Sequence, residues 1–183
     1  MHLARRAFLR TSGAALLTLA APNIVSAAEK AAPKLRRLKL HNIHTGEKLA
    51  ADYCVNGAYE PQAMSAINKI LRDFRTGDVH EMDPRLIDLL SDINMQMESN
   101  AAFEVISGYR SPKTNGMLHS KSSGVASRSL HMDGIAIDVR LPGSQLAGLH
   151  KCALAQGKGG VGYYPVSNFV HVDVGRVRRW GGA

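Results

Sequence analysis

Two stretches of the chain place metal-binding residue types at strand-like spacing. In Ser129-Leu130-His131-Met132-Asp133-Gly134-Ile135-Ala136-Ile137-Asp138, a histidine precedes an Asp-Gly turn and an aspartate lies inside the apolar run that follows. A carboxylate among Ile135, Ile137 and Val139 is costly unless compensated, because desolvating an unpaired charge costs several kcal/mol or more. A cation is a strong compensator. In Phe169-Val170-His171-Val172-Asp173-Val174, period-two alternation puts Phe169, His171 and Asp173 on one face and three valines on the other. The valines anchor the strand, and a rigid strand suits a side chain that must be held closely in place. Together His131, Asp138 and His171 offer two imidazoles and a carboxylate, which with a water complete tetrahedral zinc and leave the open position that catalysis needs. Such an ion lowers the pKa of its water from ~16 to ~7 and polarises a carbonyl, which is sufficient for peptide hydrolysis. Taken singly, each residue is more often a hydrogen-bonded structural group, so the set carries more weight than any member.

The elements that must position these residues are visible as periodicities. Leu38-Lys39-Leu40-His41-Asn42-Ile43 alternates as an opening half-buried strand, His44-Thr45-Gly46-Glu47 reads as a hairpin turn, and Leu49 to Val55 is the partner strand. Between Glu60 and Arg75, Met64, Ile67, Ile70, Leu71 and Phe74 recur at three and four, one helical face, with Gly77 as a stop. A second helix starts at Asp83-Pro84, aspartate capping and proline in the first turn, and runs through Leu86, Ile87, Leu89, Leu90, Ile93 and Met97. Met95 and Met97 read as core filler. Phe103 to Ser107 is strand-like, Thr114 to Ser129 is expected to be an exposed loop, and Ile135–Val139 and Phe169–Val174 are strands. With helices early and strands late, the expected class is α+β: N-terminal helices packed on a small, mainly antiparallel sheet that carries the zinc site.

The ends and the composition bound the setting. A chain of 183 residues suits one domain with a real core. Arg5-Arg6-Ala7-Phe8-Leu9, the apolar run Gly13 to Ala21 and the small residues Ser26-Ala27-Ala28 form a twin-arginine export signal over residues 1–28. The apolar run is too short to span a bilayer, so no stable membrane span is expected once the signal is removed. Residues 29–37, small, basic and interrupted by Pro33, read as a tether, leaving residues 38–183 as a single domain. Removing the signal takes away Arg5, Arg6 and Arg10 and no acid, so the formal charge falls from +8 to +5. A basic surface suits an anionic polymer. Nucleic acid is not expected as a partner: His44-Thr45-Gly46-Glu47-Lys48 is similar to a zinc-finger linker but has no Cys-His finger beside it. Cys54 and Cys152 permit one disulfide or two buried free thiols.

Four segments resemble the zinc D-Ala-D-Ala peptidase family, the group linked by fold to lysostaphin and the hedgehog signalling domain: Ser107-Gly108-Tyr109-Arg110-Ser111, Ser129-Leu130-His131 through Asp138, Gly160-Val161-Gly162-Tyr163-Tyr164, and Phe169-Val170-His171-Val172-Asp173. The closing order Gly-x-Gly-x-Tyr, Phe-Val-His-x-Asp, Arg-x-Trp is similar to the twin-arginine-exported murein endopeptidase branch. The resemblance covers roughly Leu38 to Trp180. It implies one zinc ion on His131, Asp138 and His171, peptidoglycan stem peptides as substrate, hydrolysis of their cross-links in the periplasm by a monomer, and Arg110 in the substrate cleft. A guanidinium there can hold a stem-peptide carboxylate or the oxyanion formed when water attacks. D,D- or L,D-carboxypeptidase trimming of stem peptides, and a wall-binding module with a structural metal, are the rival readings.

The family pattern departs at the general base. Many relatives carry Glu, Asp or His two or three residues before the last ligand, where this chain has Phe169 and Asn168. Asp173, on the same face as His171, is the nearest carboxylate and serves either as base or as the partner that orients His171, the second being favoured. Asp133 is a further candidate beside a plain turn role. Of the other histidines, only His119 falls near the cleft. Tyr163, Tyr164 and Trp180 either line a groove or pack under the sheet.

Overall fold

The alternating stretches gather into a single sheet. The computed structural model describes residues 34–121 and 125–181; residues 1–28, expected as an export signal, and residues 29–33 of the expected tether lie outside them. β1 (Leu35–Asn42) and β2 (Lys48–Val55) form the expected antiparallel hairpin, with Gly46 at φ 74° in the turn and its N–H donating to the Asn42 carbonyl at 2.8 Å. Order begins before Leu38: Arg36 and Arg37, expected in the tether, are strand residues tied to Asp92 and Asp52. The short β3 (Ala58–Tyr59) then extends the sheet beyond β2.

α1 (Pro61–Ile70) ends earlier than the Arg75 boundary, although Leu71 just past it is fully buried. α2 (Pro84–Gln96) starts as read, with the Asp83 carboxylate accepting from the Arg85 N–H at 2.8 Å. α3 (Pro112–Lys121) corrects the exposed loop expected from Thr114 onward. It buries Thr114 and Asn115 rather than an apolar stripe, so it leaves no hydrophobic period to detect. Next come β4 (Phe103–Ser107), which precedes α3 in the chain, a 3-10 turn (Leu130–Asp133) and β5 (Ala136–Arg140). α4 (Leu146–Gln156), β6 (Gly160–Tyr164), β7 (Phe169–Asp173) and β8 (Arg178–Gly181) complete the described chain.

The sheet order is β3-β2-β1-β4-β5-β7-β6-β8, with β1–β4 and β6–β8 parallel and the other neighbours antiparallel. The α+β class holds, but the sheet is a mixed one of eight strands rather than small, and strands rather than helices come first among the described residues. Parallel contacts need long crossovers, which local periodicity does not report. α2 packs on β1 and α4, and α4 on β6 and β7, so that Leu86, Leu90, Ile93, Leu149 and Ala153 meet Leu38, Leu40, Phe103, Ile137, Val139, Val170 and Val172 in one buried cluster. Burying a side chain of this size contributes roughly 1.5–3 kcal/mol. Cys54 and Cys152 are free, buried thiols. Met97 packs against the core, whereas Met95, expected as filler, is 72% exposed.

Candidate metal centre

The face of the sheet opposite Ile137, Val139, Val170 and Val172 carries the polar residues. Strand register alone sets five residues in a line: Ser107 of β4 pairs with Asp138 of β5, Asp138 with His171 of β7, His171 with Gly162 of β6, and Gly162 with Trp180 of β8. Directly opposed residues in a sheet have Cβ atoms about 4.5–5.5 Å apart, so Asp138 and His171 are neighbours by construction. Gly162 is required in this line: a Cβ there would lie 2.7–2.8 Å from the Trp180 indole. Its absence lets the indole lie across β6, with its centroid 5.1 Å from the His171 ring.

His131 reaches the line from the 3-10 turn above β5. Gly134 ends that turn at φ 67° and touches the Glu81 carbonyl so closely that a Cβ would stand 2.4 Å from it. The backbone after β4 locks the other side: Tyr109 N–H donates to Leu71 O at 2.8 Å, and Arg110 N–H to His131 O at 3.1 Å.

Three ligand atoms converge. His131 Nε2 lies 3.3 Å from His171 Nδ1 and 3.3 Å from Asp138 Oδ1, and His171 Nδ1 lies 2.8 Å from the same Oδ1. A tetrahedral ion with bonds of about 2.0–2.1 Å has ligand-to-ligand edges of about 3.3–3.4 Å, close to two of these distances. The outer nitrogens fix the tautomers. His131 Nδ1 bonds the Gly108 carbonyl at 2.7 Å and His171 Nε2 bonds Asp173 Oδ2 at 3.2 Å, so each ring donates outward and turns a lone pair inward. In these neutral tautomers two imidazole lone pairs and a carboxylate oxygen face one point, an arrangement that a cation satisfies.

The electrostatics agree. Burial pushes the Asp138 carboxyl up, but the His131 and His171 rings outweigh it and hold the group well below the usual carboxylate range. Burial holds His131 below the ordinary imidazole value against the pull of Asp138, which favours the neutral, ligating form. His171 is raised: its desolvation is outweighed by its bonds to Asp138 and Asp173. The pocket therefore attracts positive charge at the point where the ligand atoms meet.

Around the centre lies a cleft of about 510 Å³ whose lining includes Arg110, Arg128, His131, Asp138, Tyr164, His171, Arg178 and Trp180. Arg110 is in it, as the resemblance implied, but its side chain is committed: Nη2 donates to Asp138 Oδ2 at 2.5 Å and Nε to Ser107 Oγ at 2.8 Å. Asp173 does not line the cleft. It is fully buried behind His171, accepting also from Gly160 N–H and Gly175 N–H at 2.9 Å and pairing with Arg178 at 2.8 Å. Burial raises that carboxyl, yet His171, Arg178 and the two amides hold it far below the usual range. Asp133 is exposed and belongs to the turn. His119 is exposed on α3, with Nδ1 2.6 Å from Val125 O, and Tyr163 stacks on His150; neither lines the cleft. Asn168 has φ 55° in the β6–β7 turn, a conformational role. Among the described residues, Asp138 is the sole carboxylate in the lining. Sequence reasoning did not single out Arg128, whose one signal is its position three residues before His131; Arg178 entered only as the arginine of the closing Arg-x-Trp order.

Fold and site together are those of a peptidase-like α+β protein in which His131, Asp138 and His171 could hold a metal ion. Residues 30–180 match the family model described as peptidoglycan L,D-endopeptidase MepK, and the chain belongs to that family. It is 42% identical over 179 residues, 97% of this chain and 96% of the relative, to the Haemophilus influenzae protein named "Probable peptidoglycan L,D-endopeptidase MepK". It is 38% identical over 176 residues, 96% of each chain, to peptidoglycan L,D-endopeptidase MepK of Escherichia coli K12. No solved structure matches the chain.

Proposed function

We propose that this chain is a zinc-dependent murein endopeptidase that hydrolyses L,D peptide cross-links of bacterial peptidoglycan. The observation that carries this is the convergence of His131 Nε2, His171 Nδ1 and Asp138 Oδ1 at the base of an arginine-lined cleft, in a chain similar over nearly its whole length to endopeptidases of that name. A bound zinc ion supplies Lewis acidity, activating water and polarising the scissile carbonyl. The chain supplies the rest. Asp173 keeps the His171 proton on Nε2, and the Gly108 carbonyl keeps the His131 proton on Nδ1, so both inner nitrogens stay free to ligate. Arg110 holds the outer oxygen of Asp138, which aims the inner one, and its unused N–H groups are available to the oxyanion. Tyr164, which accepts from Trp180 Nε1 at 2.8 Å, and Trp180 form an aromatic wall on which the peptide rests.

Export by the twin-arginine route, removal of residues 1–28, a short tether and one peptidase domain working as a monomer in the periplasm complete the reading. Among the described residues, no helix is long and apolar enough to cross a membrane. Purified protein loaded with zinc and incubated with sacculi should release peptides whose masses show cross-linked dimers becoming monomers, and a chelator should stop it. Loss of terminal residues without dimer cleavage would instead make it a carboxypeptidase. The lining's lack of a second carboxylate favours one further reading, a wall-binding module with a structural ion; it requires that the zinc-loaded protein bind sacculi yet expose no new amino groups over hours.

A further inference from the structure

Three guanidinium groups line the cleft, and two are already engaged. Arg110 is held by Asp138 and Ser107, and Arg178 pairs with Asp173 while its guanidinium sits 4.8 Å from the Trp180 ring centroid. Arg128 is exposed and, among the described residues, has no acidic partner. A lone arginine on a loose segment would be unremarkable, but the residues flanking Arg128 are pinned. Asn115, only 2% exposed, donates through Nδ2 to Ala126 O at 3.2 Å and Ser127 O at 3.0 Å. On the other side of Arg128, Ser129 is buried and its carbonyl accepts from Met132 N–H at 2.9 Å, at the turn that carries His131. The backbone of Arg128 is thus clamped on both sides, three residues from a metal-site histidine, with its side chain on the cleft.

The charge balance of the cleft points to an anion. Its one carboxylate, Asp138, is bonded on Oδ2 by Arg110 and faces the cation point with Oδ1, which leaves Arg128 as uncompensated positive charge in a concave site. A planar guanidinium matches a carboxylate with two parallel hydrogen bonds, a geometry an ammonium does not reproduce. Resting on the function proposed above, we infer that Arg128 determines specificity by binding a free carboxylate of the substrate peptide next to the scissile bond. A cross-link whose nitrogen comes from the D-centre of a diamino acid leaves that centre's carboxylate one carbon away from the nitrogen released. The cleft selects such a peptide over one in which that group is an amide.

The test uses the full zinc-loaded chain and two cross-linked muropeptides that differ only in that group, free acid against primary amide. Wild type should favour the acid by about 10- to 100-fold in kcat/KM, the range expected for losing one charged hydrogen-bonding partner, mostly through KM. Arg128→Gln should lose a similar factor on the acid, change little on the amide, and no longer discriminate. Arg128→Lys should fall between them. Zinc content should equal that of wild type in every variant. Unaltered kinetics of Arg128→Gln on the acid, or acid-over-amide preference persisting in that variant, overturns the inference. If wild type cleaves neither muropeptide, the endopeptidase reading fails, and the inference about Arg128 is still decided by binding. Quenching of Trp180, the single tryptophan in the chain and part of the same cleft, should then report tighter binding of the acid in wild type and equal binding in Arg128→Gln.

Discussion

Replacing Asp173 by asparagine changes one atom and separates two roles for that residue. In the native site, Oδ1 accepts from Gly160 N–H, Gly175 N–H and Arg178, while Oδ2 accepts from His171 Nε2 and pairs with Arg178 Nη2. An asparagine that keeps its oxygen at the Oδ1 position places an NH2 at the Oδ2 position, where it meets the N–H of His171 and a guanidinium N–H. Donor faces donor, and the conflict is relieved when His171 moves its proton to Nδ1, the nitrogen that points at Asp138 and His131. The inner lone pair is then lost. Changing such an outer partner of a metal-binding histidine costs about 10- to 100-fold in affinity or activity. The buried mismatch should also cost roughly 1–3 kcal/mol of folding stability. Zinc affinity by chelator competition, kcat/KM on a cross-linked muropeptide and urea unfolding provide the three readouts. Zinc affinity and turnover should fall together by comparable factors. Wild-type zinc affinity combined with a turnover loss of about 10²–10⁴-fold would instead mark Asp173 as the proton carrier and refute the positioning argument.

Gly162→Ala should displace Trp180, because the new methyl would lie 2.7–2.8 Å from its ring, costing about 1–3 kcal/mol in urea unfolding and shifting the tryptophan emission toward that of an exposed indole. Asp73→Ala removes a carboxylate that accepts from Ser111 N–H, Ser111 Oγ and Arg75 N–H at the start of α3, and should lower stability by about 1–3 kcal/mol. Burial pushes Asp73 up, but the bonds from Thr114, Ser111 and Arg75 prevail and lower it to about 2 from 3.8. Its contribution is therefore complete above pH 3.8 and is lost as pH falls through 2, so the gap between wild type and Asp73→Ala in denaturant midpoint should close over that window. Leu90→Ala in the core should cost about 2–5 kcal/mol by denaturant unfolding, without changing zinc stoichiometry.

The ease with which each element could be read follows from how it is stabilised. The β1–β2 hairpin, α2 and the paired strands β5 and β7 announce themselves because their apolar residues recur at two or at three and four. α3 does not, since it is held by Ser111, Asp73 and Asn115 through hydrogen bonds rather than by an apolar face. β6 and β8 are short and glycine-marked, and their pairing depends on Gly162 accommodating Trp180 from a distant segment. At the centre, His131, Asp138 and His171 could be named because a carboxylate among isoleucines and a histidine among valines need a reason, and because the segments that carry them resemble a zinc peptidase family. The register that sets Ser107, Asp138, His171, Gly162 and Trp180 in one row could not, because it is a property of five strands and of no single one. Arg110 was assigned to the cleft by resemblance. Its bond to Asp138 and the enclosure of Asp173 emerge only when the surrounding backbone is in place.

The proposed hydrolysis requires three side chains to share one cation. A crystal of the zinc-loaded protein measured at the zinc absorption edge should give a single anomalous peak per chain, about 2.0–2.2 Å from His131 Nε2, His171 Nδ1 and an oxygen of Asp138, and His131→Ala should abolish both that peak and cleavage of sacculi. A peak elsewhere, no peak at all, or full cleavage by His131→Ala would contradict it.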